Sequence, residues 1–394
     1  MTSAPPVEKT VAIIGLGSVG AMAAWQLSQI SGVKVIGLEQ YGRVHGRGSY
    51  AGESRVFRTA YHEGGLYVPM LLESRRMWRD LEAASGRSLY LEVGTLSIGQ
   101  ADRPEMTTTL GTVRDYDLPH TLFDTDGLRS TYPQHNIHDG DIGILDAYGG
   151  GLRPEVSLMA ALQLAEQGGV DLRFNTPVLA IEERPDGVLV RTPQEAVRAD
   201  TVILASGSWS TRLDPRLNDL LRLQVLGLTW FMPQRIEPFL PENFPAFLRD
   251  VGPVHFFGAP SLDGYSVKAC SNPTWPVQRD VDDVPTAYTR DELTKIGQQA
   301  AEFFPDLNPE PVRSSVHHCA YTPDRTPVVD LSDSGRVVTV TGLSGHGFKF
   351  APVLGRWAAQ LAAYGDTDGI DPRFALSAHL QRLADRGPYG GGGH

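Results

Sequence analysis

Hydrophobic positions at the start of the chain fall into three blocks. Val11 to Ile14 is an unbroken apolar run, as expected of a strand buried on both faces. Small and large apolar residues (Ala21, Met22, Ala23, Ala24, Trp25, Leu27) then run through a helix-length segment. Val33 to Leu38 reads as a second strand and ends in Glu39. At the first junction Gly15, Gly17 and Gly20 spell G-x-G-x-x-G. In a strand–turn–helix unit these glycines permit the tight turn, the approach of a pyrophosphate and close helix packing. The helix N-terminus around Ser18 and Val19 offers free N–H groups to phosphates. Glu39 and the adjacent Gln40 are placed to hold ribose hydroxyls, and the acidic strand end favours FAD or NAD over NADP.

Further along, periodicity predicts a helix over 66–84, with Leu71, Leu72, Met77, Trp78 and Leu81 apolar, and an alternating strand over 89–98 that contains Glu92. Residues 100–150 read as polar and turn-rich. Pro154 opens a helix to about Gln167, followed by short strands over 171–174, 178–182 and 188–191 and a buried strand over 201–205. Residues 221–319 carry many of the prolines and aromatics and strand-like runs at 221–232 and 265–269, which suggests a separate antiparallel sheet with a helix over 289–304. A late strand at 336–341 leads into a glycine turn and helix, and a last helix spans about 374–386.

Composition narrows the class. The chain has 394 residues, enough for two sizeable cores. A net charge of −11 argues against a nucleic-acid partner. No apolar run reaches membrane-span length and the first residues lack a signal core, so a cytoplasmic protein without membrane association is expected. Two cysteines, Cys270 and Cys319, form neither a disulfide framework nor a zinc site, and no metal is expected. The long glycine-rich segment after Glu39 carries Arg43, Arg47, Arg55 and Arg58, and loops of that length are usually functional.

Three segments, GSYAGESRVFRTAYHEGGLYVP, HHCAYTPDRTPVVD and GLSGHGFKF, resemble the monomeric sarcosine oxidase and N-methyltryptophan oxidase family in collinear order over nearly the whole chain. The resemblance implies an α/β FAD-binding Rossmann-type domain of the D-amino-acid-oxidase kind plus an α+β substrate domain with a mostly antiparallel sheet. The corresponding division is 1–84, 145–220 and 320–386 for FAD binding, 85–144 and 221–319 for substrate, and a disordered tail at 387–394. It implies FAD attached covalently through Cys319, whose pKa the neighbours Arg313, His317 and His318 are expected to lower. Lys268 corresponds to the lysine that activates dioxygen. Arg58 and Lys349 correspond to the pair that binds the substrate carboxylate, and Arg55 to a flavin-contacting arginine. Tyr61 begins the mobile active-site loop, Val178 lies on the adenine side and His346 beside the flavin. Ser49, Gly207, Gly345 and Gly347 complete the expected cofactor contacts.

Departures from the family pattern concern the substrate. Ala51, Phe257 and Asn272 replace a histidine, a tyrosine and a histidine. An alanine at the Ala51 position and a glutamate at the Glu92 position resemble the flavoenzyme that oxidises a cyclic imino acid in nikkomycin biosynthesis. The implied activity is oxidation of the C–N bond of a secondary or N-methyl α-amino acid, with dioxygen reduced to hydrogen peroxide and either solvent or Glu92 taking the amine proton. The alternatives are a biosynthetic oxidase of a cyclic imino acid, an NAD-dependent dehydrogenase and a non-catalytic FAD-binding protein. A small amino-acid substrate and dioxygen are the expected partners, in a monomer or small homo-oligomer.

Overall fold

In the computed structural model, which describes residues 9–252, 254–271 and 275–386, the opening apolar run becomes a central strand of a six-stranded sheet. Lys9–Ile14 pairs in parallel with Val33–Leu38 on one side and Thr201–Leu204 on the other. Asp171–Arg173 and Val337–Thr341 extend the sheet in parallel, and Val328–Leu331 closes one edge antiparallel. Strand residues alternate between two faces. Val11, Ile13, Val35, Ile203 and Val338 pack against the helices Ser18–Leu27, Pro154–Gln167 and Ala351–Tyr364. Ala12, Ile14, Ile36, Val202 and Leu204 pack against a small antiparallel sheet through Val188, Val190 and Val197. Both faces are covered, which is why these strands read as continuous apolar runs. A Cβ on Gly20 would lie 1.9 Å from the Gly15 carbonyl oxygen, so the helix can sit this close to the turn only with glycine there.

A second, eight-stranded sheet runs in the order Leu307–Tyr321, Arg222–Pro233, Val267–Ser271, Val254–Ala259, Ala246–Val251, Thr95–Gln100, Asp141–Asp146, His120–Phe123. All its pairings are antiparallel except one, where Ala246–Val251 meets Thr95–Gln100 and joins strands from two distant stretches of chain. Phe231, Phe244, Phe247, Phe256 and Phe304 form its core under the helix Arg290–Phe303. Arg249 is fully buried in this sheet and paired to the equally buried Asp141 at 2.7 Å.

Several elements differ from the sequence expectation. The strand expected over 89–98 is two strands, Tyr90–Leu91 and Thr95–Gln100, broken where Gly94 adopts φ +84°. Residues 100–150, expected as turns, hold the helices Pro104–Asp115 and Thr125–Thr131 and the strands His120–Phe123 and Asp141–Asp146. The first of these helices buries Thr109 and Thr112 beside Met106 and Val113, so its inward face is half hydroxyl and escapes a hydrophobicity pattern. The strand expected over 178–182 is Ala180–Arg184, and the one expected over 265–269 is Val267–Ser271. Asp263 accepts the N–H groups of Tyr265 and Ser266, ending the turn later than composition suggests. The 387–394 tail and Asn272 lie outside the described residues.

Candidate active site

A cavity of about 410 Å³ opens where the parallel strands end, at Ile14, Leu38, Ala205 and Thr341. This is where open α/β sheets bind ligands. Gly15, Gly17, Ser18 and Val19 form one wall, Glu39 and Gln40 a second, and Val178 and Gly207 a third. The Ser18–Leu27 helix has no side-chain cap and no acid in its first turn, so its positive end faces the cavity. Glu39 accepts the N–H groups of Leu16 at 2.9 Å and Tyr41 at 3.0 Å, which fixes its carboxylate at the rim. A Cβ at Gly207 would meet no atom within 4 Å, and one at Gly17 only the edge of Tyr50. The backbone is therefore bare toward the cavity, and the residues present fit a dinucleotide cofactor with its pyrophosphate on the helix end. Gly20, in the first turn of the helix, faces Gly15 and Ile13 and is not part of the lining.

Cys319, Ser49, Arg55, Gly345 and Gly347 line the same cavity. Burial pushes the Cys319 thiol up, and it is opposed by the Arg55 guanidinium, the Ser49 hydroxyl and the Gly345 N–H. The electropositive neighbour is thus Arg55, not the sequence neighbours Arg313, His317 and His318. His318 hydrogen-bonds Ser208 at 2.8 Å, His317 approaches Ser315 at 2.9 Å, and Arg313 reaches out to Glu53 at 2.8 Å. Strand alternation sends the His318 side chain to the face opposite the sulfur, and Arg313 and His317, though on the sulfur's face, are taken up by Glu53 and Ser315. The Arg55 guanidinium is held by the carbonyls of Ser49 at 2.9 Å, Ala51 at 2.5 Å and Ser54 at 2.8 Å.

Lys268 is buried on its strand. It donates to the carbonyls of Gly52 at 2.9 Å and Ser54 at 2.7 Å, and its Nζ lies 5.3 Å from the Trp230 ring centre. Burial, and then Arg55, push its pKa down to about 7.

Arg58, Tyr61, His346 and Lys349 come together although 291 positions separate the first from the last. The Tyr61 hydroxyl lies 2.7 Å from His346 Nδ1 and accepts from Lys349 at 3.4 Å. Its ring carries the Arg58 guanidinium at 4.5 Å and the Lys349 ammonium at 5.2 Å. Two residues that sequence reasoning missed complete the cluster. Glu63 accepts two hydrogen bonds from Arg58, both 2.9 Å, and His62 Nδ1 lies 2.9 Å from the other guanidinium nitrogen. Their spacing after Arg58 was visible, but nothing in it said that the chain folds back on the arginine. Burial alone would raise the Glu63 carboxyl, yet Arg58, His62 and Lys349 hold it down at about 2. Burial and Arg58 lower Lys349 to about 7, and burial and Lys349 lower His346 to about 4. Two buried cations thus face one carboxylate, an arrangement that draws a second anion. The cluster touches the cofactor cavity through the segment from Gly345 to Phe348.

Glu92 and Phe257 are not among the residues that line the cavity. Glu92 accepts from Arg75 at 2.6 and 3.2 Å and from Arg79 at 2.8 Å, and these bonds outweigh burial and lower its pKa. Phe257 packs with Leu228, Trp230 and Cys270, beside Leu226, which lines the cavity. Ala51 is buried and gives its carbonyl to Arg55. Among the described residues no cluster of metal-ligating side chains is present, and no helix is long and apolar enough to cross a membrane.

Comparison with known proteins agrees with this geometry. The model of a family described as FAD dependent oxidoreductase matches residues 10–361. The chain is 34% identical over 390 residues to the monomeric sarcosine oxidase of Streptomyces avermitilis, covering 93% of this chain and 98% of that protein. It is 29% identical over 374 residues to the N-methyl-L-tryptophan oxidase of Citrobacter koseri, covering 93% and 96%. Among solved structures, NikD, an unusual amino acid oxidase of nikkomycin biosynthesis, superposes with a TM-score of 0.83 at 22% identity over 93% of this chain and 97% of its own. L-proline dehydrogenase from P. horikoshii gives 0.81 at 18% identity over 96% and 99%. The two structural likenesses show the fold. The matched span, the identity to the sarcosine oxidase and the cavity at the strand ends place the chain in the family of FAD-dependent oxidoreductases.

Proposed function

We propose that the protein oxidises the C–N bond of a secondary or N-methyl α-amino acid to an imine, reducing dioxygen to hydrogen peroxide. The observation that carries this reading is the buried pair Arg58 and Lys349, opposed by one carboxylate, beside a dinucleotide cavity. The substrate carboxylate displaces Glu63 and His62 from Arg58 to take its fork of hydrogen bonds, and gains a point charge from Lys349. Docking by the carboxylate fixes where the α-carbon and amine stand, so positioning supplies much of the rate. FAD, when bound, supplies the two-electron chemistry. The uncapped Ser18–Leu27 helix end, Glu39 and Gln40 hold its phosphates and ribose, and Arg55 sets a positive charge beside Cys319 in the same cavity. Cys319 is the residue we assign to covalent attachment, with Arg55 stabilising its thiolate. Lys268 is assigned to dioxygen, where a fixed ammonium stabilises developing negative charge. The amine proton passes to solvent in this scheme, because Glu92 is committed to Arg75 and Arg79.

A panel of secondary and N-methyl amino acids, cyclic imino acids included, tests the reading by anaerobic loss of flavin absorbance. Bleaching by carboxylate-bearing secondary amines and not by their decarboxylated counterparts is expected. Equal bleaching by both removes the Arg58–Lys349 anchor, and bleaching by none removes the amine-oxidising reading.

A further inference from the structure

The turn at Gly52, Glu53 and Ser54 has two consecutive left-handed residues, Gly52 at φ +117° and Glu53 at φ +67°. A glutamate in that conformation costs about 1 kcal/mol or more and persists only where its surroundings over-determine it. Two sets of contacts do so. From the cofactor-domain side, Glu155, in the first turn of the Pro154–Gln167 helix, accepts the Gly52 N–H at 2.6 Å and the Glu53 N–H at 3.2 Å. From the large-sheet side, the Glu53 carboxylate accepts Trp230 Nε1 at 2.5 Å and Arg313 at 2.8 Å, with the Arg313 guanidinium 4.1 Å above the same indole. With both amides turned toward Glu155, the carbonyls of Gly52 and Ser54 are left to converge on the Lys268 ammonium.

We propose that Glu155 is a positioning residue for dioxygen reduction: its carboxylate locks the left-handed turn whose two carbonyls seat the Lys268 ammonium beside Arg55. This rests on the assignment of Lys268 to dioxygen. An amide would cap one or both N–H groups, but only a carboxylate also adds a negative charge. That charge matters because the seat is otherwise hostile to a cation. Burial and Arg55 disfavour the ammonium, while the Glu53 and Glu155 carboxylates favour it. His317 also faces Lys268 and is held neutral, with its pKa down at about 3, by burial, Arg55 and Lys268. Arg313 is neutralised locally by Glu53 and Asp263.

The chain has five lysines, Lys9, Lys34, Lys268, Lys295 and Lys349, so lysine labelled with ¹³C at the ε carbon gives a spectrum in which Lys268 is assigned by its loss in Lys268→Met. In Glu155→Ala the Lys268 titration midpoint should fall by about one pH unit or more. In the same variant, reoxidation of the reduced enzyme by dioxygen should slow about tenfold at pH 8, while reduction by substrate changes less than about twofold. Glu155→Gln, which keeps one acceptor oxygen, should show a smaller shift of the same sign and serves if the alanine variant fails to fold. An unchanged or raised midpoint, or a parallel loss of both half-reactions, overturns the proposal. If Lys268→Met reoxidises at the wild-type rate, the assignment of Lys268 to dioxygen fails instead, and the titration alone reports whether Glu155 seats the ammonium.

Discussion

Replacing Glu92 by glutamine separates two roles that differ by orders of magnitude. The carboxylate accepts three hydrogen bonds from Arg75 and Arg79. Shielded, each charge-assisted bond would contribute about 1.5–3 kcal/mol. These side chains are partly open to solvent, with Arg79 at 41% exposure and Arg75 at 30%, so screening brings the whole cluster down to about 1–2 kcal/mol. Glutamine keeps one acceptor, and the loss should be about 1 kcal/mol. At about 2.1 cal/mol/K of unfolding entropy per residue, that is a fall in Tm of about 1–2 °C for a chain of this length. A general base in the same position would be worth about 100- to 10,000-fold in rate. The assay is anaerobic reduction of the enzyme by its best amine across pH 6–10, beside a thermal melt. The structure predicts a rate within about twofold of wild type, an unchanged pH profile and a slightly lower Tm. The Glu92 pKa is lowered in the fold, so its contribution is present above the unfolded carboxyl value of about 4.3 and lost as pH falls through the folded value. Glu92→Gln should therefore erase part of the acid destabilisation below about pH 4. A hundredfold slower reduction with Tm preserved refutes the argument and returns Glu92 to the chemistry.

Other outcomes follow from the same geometry. Arg58→Ala should weaken carboxylate-bearing inhibitors by about 100-fold or more, since a buried fork of two charge-assisted bonds is lost; flavin difference spectra measure it. With Lys349 near 7, carboxylate inhibitors should bind tightest below that pH and weaken by up to about tenfold per unit above it, a dependence that Lys349→Met should flatten. Cys319→Ser should leave FAD in the supernatant after acid precipitation, whereas the wild-type precipitate stays yellow; free FAD from the wild type would refute attachment. Asp141→Ala strands the fully buried Arg249 and should cost about 3–5 kcal/mol in a denaturant melt.

The opening strand, glycine turn and helix were legible because each step is local. A buried strand, a turn too tight for a Cβ at Gly20 and an uncapped helix end all follow from neighbours within a few positions. The second strand–turn–helix near Val337–Thr341 was legible for the same reason. The helix Pro104–Asp115 was not, because its buried threonines look polar in a sequence. The parallel junction between Ala246–Val251 and Thr95–Gln100 was not, because register between distant strands leaves no local trace.

The same division runs through the site. By itself the sequence determined a dinucleotide-binding turn, and the resemblance to a family singled out the arginines, lysines and cysteine as candidates for chemistry. Only the tertiary structure decided their company. It set Arg55 beside Cys319, Glu63 and His62 against Arg58, Arg75 and Arg79 around Glu92, and Glu155 under the turn that seats Lys268. The physical reason is that charge and hydrogen bonding act over a few ångströms of space. The partners that set whether Lys268 and Lys349 are charged, or whether Glu92 is available as a base, are brought within that range only when the two sheets close on each other.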